Sequence, residues 1–256
     1  MRIRFARAGA LAILLLLALA APPFFAGARA GETKVAVAAN FAAAAREIGA
    51  LFEARSGHRA IFSFGSTGQL YAQIGQGAPF DVFLAADRAR PGQAVNAGLA
   101  VPGSRFTYAS GRIVLFSQDP DLVTGAETLS LARFTRLAIA NPVTAPYGAA
   151  AVSAMKKLGV YPALAPKLVR GTNIAQTYQF VWTGNAELGF VALAQVAGHD
   201  EGSRWLVPAV LHEPIAQDAV LLRRGAGNPA ARAFLDFLKG PEADAVTQKY
   251  GYGRGD

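Results

Sequence analysis

Small and amide side chains recur at the points where a strand-like segment of this chain gives way to a helix-like one. The positions are Asn40, Ser66 with Thr67, Tyr147 with Gly148, and Asn173. Hydroxyl and amide groups donate hydrogen bonds, and the first N–H groups of a helix have no partner within it. Because ligands of open α/β sheets bind beyond the carboxyl ends of the strands, these helix starts can converge on one ligand. The chemistry that such a cluster favours is the binding of an anion by neutral donors.

Plain helix capping is the alternative at each position, since Asn, Ser and Thr are favoured N-caps with no ligand present. It stays open for Asn40 and Ser66. Asn173 and Gln176 have capping-box spacing, so the Asn173 side chain is expected to serve its own helix and to leave the Ile174 N–H as a donor. Tyr147 follows a proline-rich turn, where a packing role and a phenolic hydrogen bond to a ligand are both open.

Other site chemistries lack the residues that they need. The histidines His58, His199 and His212 have no metal-ligand spacing and are expected at the surface, so no metal site is predicted. Asp81 and Asp87 flank a short strand and are interpreted as a turn residue and a helix cap rather than as a catalytic pair. No nucleophile motif or phosphate-binding loop is present, and the chain is therefore not expected to be an enzyme.

The elements that must position these residues alternate between strand and helix, which predicts an α/β fold on a largely parallel sheet. Strands are predicted at Thr33 to Ala39, Ile61 to Phe64, Asp81 to Ala85, Arg112 to Ser117, Arg136 to Ala140, Leu188 to Val191, Leu206 to Leu211 and Gln217 to Leu222. Helices are predicted at Phe41 to Arg55, Gln69 to Gln76, Gly148 to Leu158, Ile174 to Trp182, Pro229 to Leu238 and Pro241 to Tyr250.

The first thirty residues have the order of a secretory signal peptide. Arg2, Arg4 and Arg7 precede the apolar run Ala8 to Ala21, and Ala28-Arg29-Ala30 offers a cleavage site before Gly31. The run is shorter than the roughly 20 residues of a membrane span, so no stable membrane insertion is expected. Because the chain has no cysteine, a lipid anchor and disulfides are excluded. We therefore expect a cleaved, soluble protein of the periplasm.

The charge of the remaining chain excludes one class of partner. Four of the 25 basic residues and none of the 17 acidic ones lie in the first thirty residues, which leaves a net charge of +4. No cluster of Lys or Arg of the kind that follows a phosphate backbone occurs in it, so nucleic acid is not an expected partner. About 226 residues remain, enough for one large domain or two lobes of roughly 100 residues each.

Four segments stand out in the chain that follows the signal peptide: Val35-Ala36-Val37-Ala38-Ala39-Asn40-Phe41, Ser63-Phe64-Gly65-Ser66-Thr67-Gly68, Gly77-Ala78-Pro79-Phe80-Asp81-Val82-Phe83-Leu84-Ala85-Ala86-Asp87, and Phe237-Leu238-Lys239-Gly240-Pro241-Glu242-Ala243. Through these segments the chain resembles one known family over that whole length, the periplasmic molybdate-binding proteins of ABC transporters.

The resemblance implies a two-lobe periplasmic binding-protein fold. Each lobe is a mixed, mostly parallel sheet flanked by helices, and two chain crossings join the lobes, near Tyr108 to Gly111 and near Leu211 to Pro214. Lobe 1 would comprise residues 31–108 and 212–256, and lobe 2 residues 109–211. The implied function is that of a monomeric receptor, without a cofactor, that binds molybdate or tungstate between its lobes and delivers it to a membrane permease.

The resemblance also implies the site residues. Asn40 takes the position of the first loop, Ser66 that of the second and Tyr147 that of the proline turn, while Ile174 and Ala39 offer backbone N–H groups. No positive side chain touches the ligand, and molybdenum is present only within the oxyanion, without a protein ligand on the metal.

Two departures from the family concern the donors. Many members have Ser where this chain has Asn40, whose amide can donate instead. Members also often carry a ligand-touching Tyr after the strand that corresponds to Leu188 to Val191, where this chain has Ala192. Tyr147 is the expected substitute for that phenol.

Three other functions stay open from the residues alone. The same fold can hold sulfate, phosphate or ferric ion, for which a cleft arginine or paired tyrosines are expected. An exported hydrolase would need a nucleophile or general base. A ligand-sensing regulator would need a DNA-binding helix pair, which the sequence lacks.

Overall fold

The structure is a computed structural model that describes residues 30–131, 133–198 and 201–254. The expected signal peptide lies outside these ranges except for Ala30, and so does His199. The described chain from Gly31 onward forms one compact unit. Within the described ranges, no helix is long and apolar enough to cross a membrane.

The first lobe is built around a five-stranded sheet that uses both ends of the chain. Its strands are β1 Glu32–Ala38, β2 Arg59–Gly65, β3 Val82–Leu84, β4 Phe106–Gly111 and β10 Ile215–Leu221. They stand side by side in the order β2, β1, β3, β10, β4. β1 is parallel to β2 and β3, whereas β10 is antiparallel to β3 and β4. Four strands therefore run in one direction and β10 alone is reversed.

Helices cover both faces of this sheet because successive side chains of a strand point to opposite sides. The helices are α1 Ala42–Ser56, α2 Thr67–Gly75, α3 Ala89–Asn96, α8 Pro229–Leu238 and α9 Pro241–Lys249. Val35 and Val37 of β1 share a core with Phe52 of α1 and Phe234 of α8. The residue between them, Ala36, packs on the other face.

The second lobe repeats this architecture with the middle of the chain. Its strands are β5 Ile113–Ser117, β6 Leu137–Ala140, β7 Leu168–Gly171, β8 Leu188–Ala192 and β9 Ser203–Leu206, in the order β7, β6, β8, β5, β9. Its helices are α4 Pro146–Lys157, α5 Tyr161–Leu164, α6 Ile174–Trp182 and α7 Leu193–Val196. Here β5 is antiparallel to both of its neighbours and is the one reversed strand.

The two-lobe α/β fold is confirmed, and the structure adds to or corrects the sequence prediction at three places. Phe106–Gly111 is a strand of the first sheet, and the chain changes sheet at Arg112. The strand expected at Leu206 to Leu211 ends at its first residue, because Pro208 cannot donate to a ladder and a 3-10 turn follows. Helix α3 was not predicted, because the dipeptide Pro91-Gly92 is typical of a turn.

The topology places the ends of five strands where the lobes meet. In the first lobe, β1, β2 and β3 are parallel neighbours, so the residues that follow them lie at one edge of the sheet. In the second lobe, β6 and β7 are parallel and lead into α4 and α6.

Candidate functional site

A small cavity lies between the two lobes and brings together all five residues expected at the site: Ala39, Asn40, Ser66, Tyr147 and Ile174. Its further lining residues are Ala38, Gly65, Thr67, Ala86, Ala145 and Pro146. The volume is about 10 Å³, far below the roughly 300 to 1,000 Å³ of pockets for drug-sized organic ligands. The cavity therefore suits a compact ligand better than a drug-sized organic one.

Three helices begin at this cavity. Thr67 is the first residue of α2, Tyr147 the second of α4 and Ile174 the first of α6. The first N–H groups of a helix have no acceptor within it and carry the positive end of its dipole. One such group comes from the first lobe and two from the second, so an anion between the lobes meets donors from both sides.

The electrostatics of the cavity come from dipoles and not from charges. Among the described residues that line it, none carries a charged side chain. Asn40, Ser66 and Ile174 are each less than 5% exposed, so solvent is largely excluded. In such surroundings a hydrogen bond to an anion is stronger than the same bond in water.

Asn40 lies in the turn after β1, but its amide is engaged within the protein. Its Nδ2 donates to the Gln217 Oε1 at 2.9 Å and to the Tyr252 hydroxyl at 3.1 Å. The Tyr252 hydroxyl in turn donates to the Asn40 carbonyl oxygen at 2.7 Å. The amide therefore fixes the turn, and both of its N–H groups are bonded within the protein.

Ser66 is the N-cap of α2, so the capping alternative describes its present hydrogen bonds. Its Oγ accepts from the Gln69 N–H at 3.4 Å and donates to the Gln69 Oε1 at 2.8 Å. The neighbouring Thr67 Oγ1 accepts from the Ala86 N–H at 3.0 Å. This bond ties the loop after β3 to the start of α2.

Asn173 caps α6 as predicted. Its Oδ1 accepts from the N–H groups of Ala175 and Gln176 at 2.9 and 3.1 Å. The Gln176 side chain accepts from the Thr172 N–H. The Ile174 N–H is thus the donor that this cap leaves at the cavity.

Tyr147 is fully packed, with 2% of its surface exposed. Its hydroxyl accepts from the Gln217 Nε2 at 3.5 Å, a long bond that crosses from the second lobe to the first. Burial raises the pKa of Tyr147, and the nearby Tyr108 adds to that rise. The phenol therefore stays protonated.

Gln217 was missed by reasoning from the sequence. It lies in β10, is completely buried, and accepts at Oε1 from both Asn40 and the Tyr108 hydroxyl, the latter at 3.1 Å. The Ala85 carbonyl oxygen also lies 3.1 Å from the Tyr108 hydroxyl and shares its single proton with Gln217. The polar pair Gln217-Asp218 within an otherwise apolar strand was the available signal, since buried polar groups need hydrogen-bond partners.

The remaining candidate residues have structural roles. Asp81 accepts from the Lys34 N–H at 2.9 Å, and Asp87 accepts from the Arg90 N–H at 2.9 Å as a cap does. His212 is 7% exposed, so its expected surface position is wrong. His58 is half-buried and accepts from the Gly31 N–H. Within the part of the chain that the structure describes, no group of His, Asp and Glu residues could hold a metal ion.

Comparison with known proteins gives one consistent family. The model of the family described as bacterial extracellular solute-binding protein matches residues 33–253. The molybdate-binding protein ModA of Rhodobacter capsulatus is 55% identical over 96% of both chains, and that of Azotobacter vinelandii is 53% identical over 93% of this chain and 96% of its own. A solved periplasmic molybdate-binding protein of Azotobacter vinelandii superposes with a TM-score of 0.84 at 39% identity, covering 86% of this chain and 98% of its own.

Proposed function

The chain belongs to the bacterial extracellular solute-binding proteins, and from that membership we propose that it is the receptor of an ABC uptake system for molybdate, with tungstate as a second ligand. The observation that carries the proposal is the cavity, in which loops of both lobes surround a small space with neutral donors. Relatives at 55% and 53% identity are named for the same ligand.

Neutral donors are sufficient to hold a dianion. Each hydrogen bond to a charged group contributes about 1.5 to 3 kcal/mol net, so roughly six or seven preorganised donors account for sub-micromolar affinity. We assign these donors to the backbone N–H groups at Ala39, Asn40, Thr67, Tyr147 and Ile174, together with the Ser66 hydroxyl. Because the backbone groups are fixed by the folded helices, little ordering is needed when the ligand binds.

The side chains of Asn40 and Tyr147 act as braces in this proposal. The Asn40 amide holds its turn through Gln217 and Tyr252, and the Tyr147 phenol packs against the first lobe. Ser66 differs, because its hydroxyl needs only to rotate away from Gln69 to donate to an oxyanion while its oxygen keeps accepting from the Gln69 N–H. Its role in the site is thus compatible with its role as a cap.

Cavity size supplies the selectivity. Sulfate has the same charge and shape as molybdate but is smaller, so donors fixed for the longer metal–oxygen bonds lose contact with it. Molybdate and tungstate are almost the same size, and the cavity treats them alike.

Other cargoes and activities fit the cavity less well. Ferric ion needs paired tyrosine ligands, whereas the hydroxyls of Tyr108 and Tyr252 donate to carbonyl oxygens of the protein. Hydrolysis needs an acid or base beside the ligand, and no described lining residue is ionic. We therefore propose that the protein binds without catalysing a reaction.

We also propose the setting in which the receptor acts. The N-terminal segment directs export to the periplasm and is removed before Gly31, and the protein then works as a monomer that docks on a membrane permease. Closure of the lobes around the ligand is the signal that such a permease can recognise.

The test is isothermal titration of ligand-stripped protein, residues 31–256, with molybdate, tungstate, sulfate and phosphate in one buffer. We expect tight binding of the first two and none of the others. Binding of sulfate or phosphate alone would retain the two-lobe receptor and reject the cargo.

A residue test accompanies it. Ser66→Ala should weaken molybdate binding by about 1 to 3 kcal/mol, since it removes one donor to a charged group. The control is Ser153→Ala, because Ser153 lies on α4 away from the cavity and donates to the Leu211 carbonyl oxygen at 3.3 Å. Equal affinity of the two variants would refute the role of Ser66 as a donor.

A further inference from the structure

One loop of the second lobe, residues 141–145 between β6 and α4, is held by the first lobe at two adjacent carbonyl groups. The Gly68 N–H donates to the Thr144 carbonyl oxygen at 2.8 Å. The Arg90 Nη2 donates to the Val143 carbonyl oxygen at 2.9 Å. We propose that these two bonds form a cross-lobe latch that retains the ligand without touching it, an inference that rests on the proposed function.

Arg90 is ordered for this contact by its own lobe. Asp87 accepts from the Arg90 N–H at 2.9 Å, and its second carboxylate oxygen pairs with the Arg90 Nη1. The two side chains are only 26% and 17% exposed. A planar guanidinium that is held along one edge keeps its remaining N–H groups in a fixed direction, so little entropy is lost when Val143 arrives.

Gly68 allows the close approach on the other side of the latch. A Cβ atom at this position would lie 3.0 Å from the Thr144 Cα and 3.1 Å from its carbonyl oxygen. These atoms are backbone, so only movement of the loop or of the whole lobe could relieve the contact. A side chain at Gly68 would thus push the Thr144 backbone away by a few tenths of an ångström and weaken the contact between the lobes.

The latch and the ligand site close in one motion. Gly68 follows Thr67, and Thr144 precedes Ala145, and both of these neighbours line the cavity. A bond that exists only in the closed state adds its free energy to that state. Because Arg90 and Gly68 do not line the cavity, the latch slows the release of every ligand by the same factor. It therefore leaves the selectivity between ligands unchanged.

The first test is Arg90→Met in the protein of residues 31–256, which keeps the apolar stem and removes the donor. We expect molybdate and tungstate to dissociate about tenfold faster in stopped-flow measurements and to bind about tenfold more weakly, with their affinity ratio unchanged. The control is Arg88→Met, because the Arg88 contacts to Thr107 and Asp218 lie within the first lobe.

The latch is overturned if the Arg90→Met protein releases molybdate and tungstate at the wild-type rates, or if the ratio of its affinities for the two ligands changes. Failure of the wild-type protein to bind any of the four oxyanions is a different result, since it rejects the proposed function. A measurement of closure then decides on the latch by itself.

Closure can be followed by energy transfer between two dyes, because the chain has no native cysteine. Glu53→Cys in α1 and Gln179→Cys in α6 place one exposed label in each lobe. We expect the mean distance between the dyes to be longer in the labelled Arg90→Met and Gly68→Ala proteins than in the labelled protein that carries neither substitution. Equal distances in the three proteins overturn the latch.

Discussion

A substitution at the first crossing tests how tightly the two lobes are packed around Tyr147. Gly111 is the last residue of β4, next to Arg112, where the chain changes sheet. A Cβ atom at Gly111 would lie well under 3.0 Å from the Tyr147 hydroxyl, 2.9 Å from the Gln217 Nε2 and 3.0 Å from the Tyr147 Cζ. Because the Tyr147 ring is buried at the start of α4, it cannot swing into solvent, and Gly111→Ala must displace it.

The expected loss of stability follows from the steric overlap between the new methyl group and Tyr147. Forcing an extra methyl group into a packed core costs about 1 to 3 kcal/mol. Tyr147→Phe removes the oxygen that makes the closest contact, and it also gives up the hydrogen bonds of the phenol with Gln217 and Asn40, so we expect it to cost about 1 kcal/mol by itself. In the double variant most of the overlap is gone. Its loss of stability should therefore be smaller than the sum of the two single losses by about 1 to 2 kcal/mol.

The assay is urea unfolding of the wild-type protein, the two single variants and the double variant, with molybdate affinity measured on each. We expect Gly111→Ala to weaken binding as well, because the Tyr147 N–H at the cavity moves with its ring. Gly75→Ala is the control, since no atom lies within 4 Å of a Cβ there. A Gly111→Ala protein as stable as the wild type, or strict additivity in the double variant, would refute the reasoning.

Three further predictions concern the buried polar groups and the cavity. Gln217→Met should lower the free energy of unfolding by about 2 to 5 kcal/mol, because it leaves a buried Asn40 N–H without a partner and removes hydrogen bonds to the hydroxyls of Tyr108 and Tyr147. The exposed Gln248→Met should stay within about 0.5 kcal/mol of wild type in the same urea titration. Burial raises the pKa of Tyr108, Tyr147 and Tyr252. The stability that these tyrosines contribute is therefore present below about pH 10 and declines at higher pH, which unfolding curves measured at several pH values will detect. A free energy of unfolding that stays constant above about pH 10 would contradict this prediction. Molybdate affinity should change less than about threefold between about 10 mM and about 0.5 M NaCl, because the enclosed cavity is poorly screened; titrations that show a steep salt dependence would indicate an exposed, charged site instead.

The local features of the fold were within reach of the sequence. The alternation of strands and helices, the cap at Asn173 and the helix start at Ile174 depend on residues within a few positions of one another. The sequence also drew attention to Asn40, Ser66, Tyr147 and Ile174, because each lies at or next to the start of a helix, whereas Ala39 followed only from the family resemblance.

The partners of those residues were decided only by the tertiary structure. The Asn40 amide bonds to residues 177 and 212 positions away. The order of strands in the first sheet brings the first of them close, and the return of the chain to β4 after α9 brings the second. The latch between Arg90 and Val143 depends further on how the second lobe meets the first. Capping and periodicity act over one or two turns of chain, whereas a side-chain hydrogen bond across a sheet or between lobes depends on where distant segments pack, which no local pattern encodes.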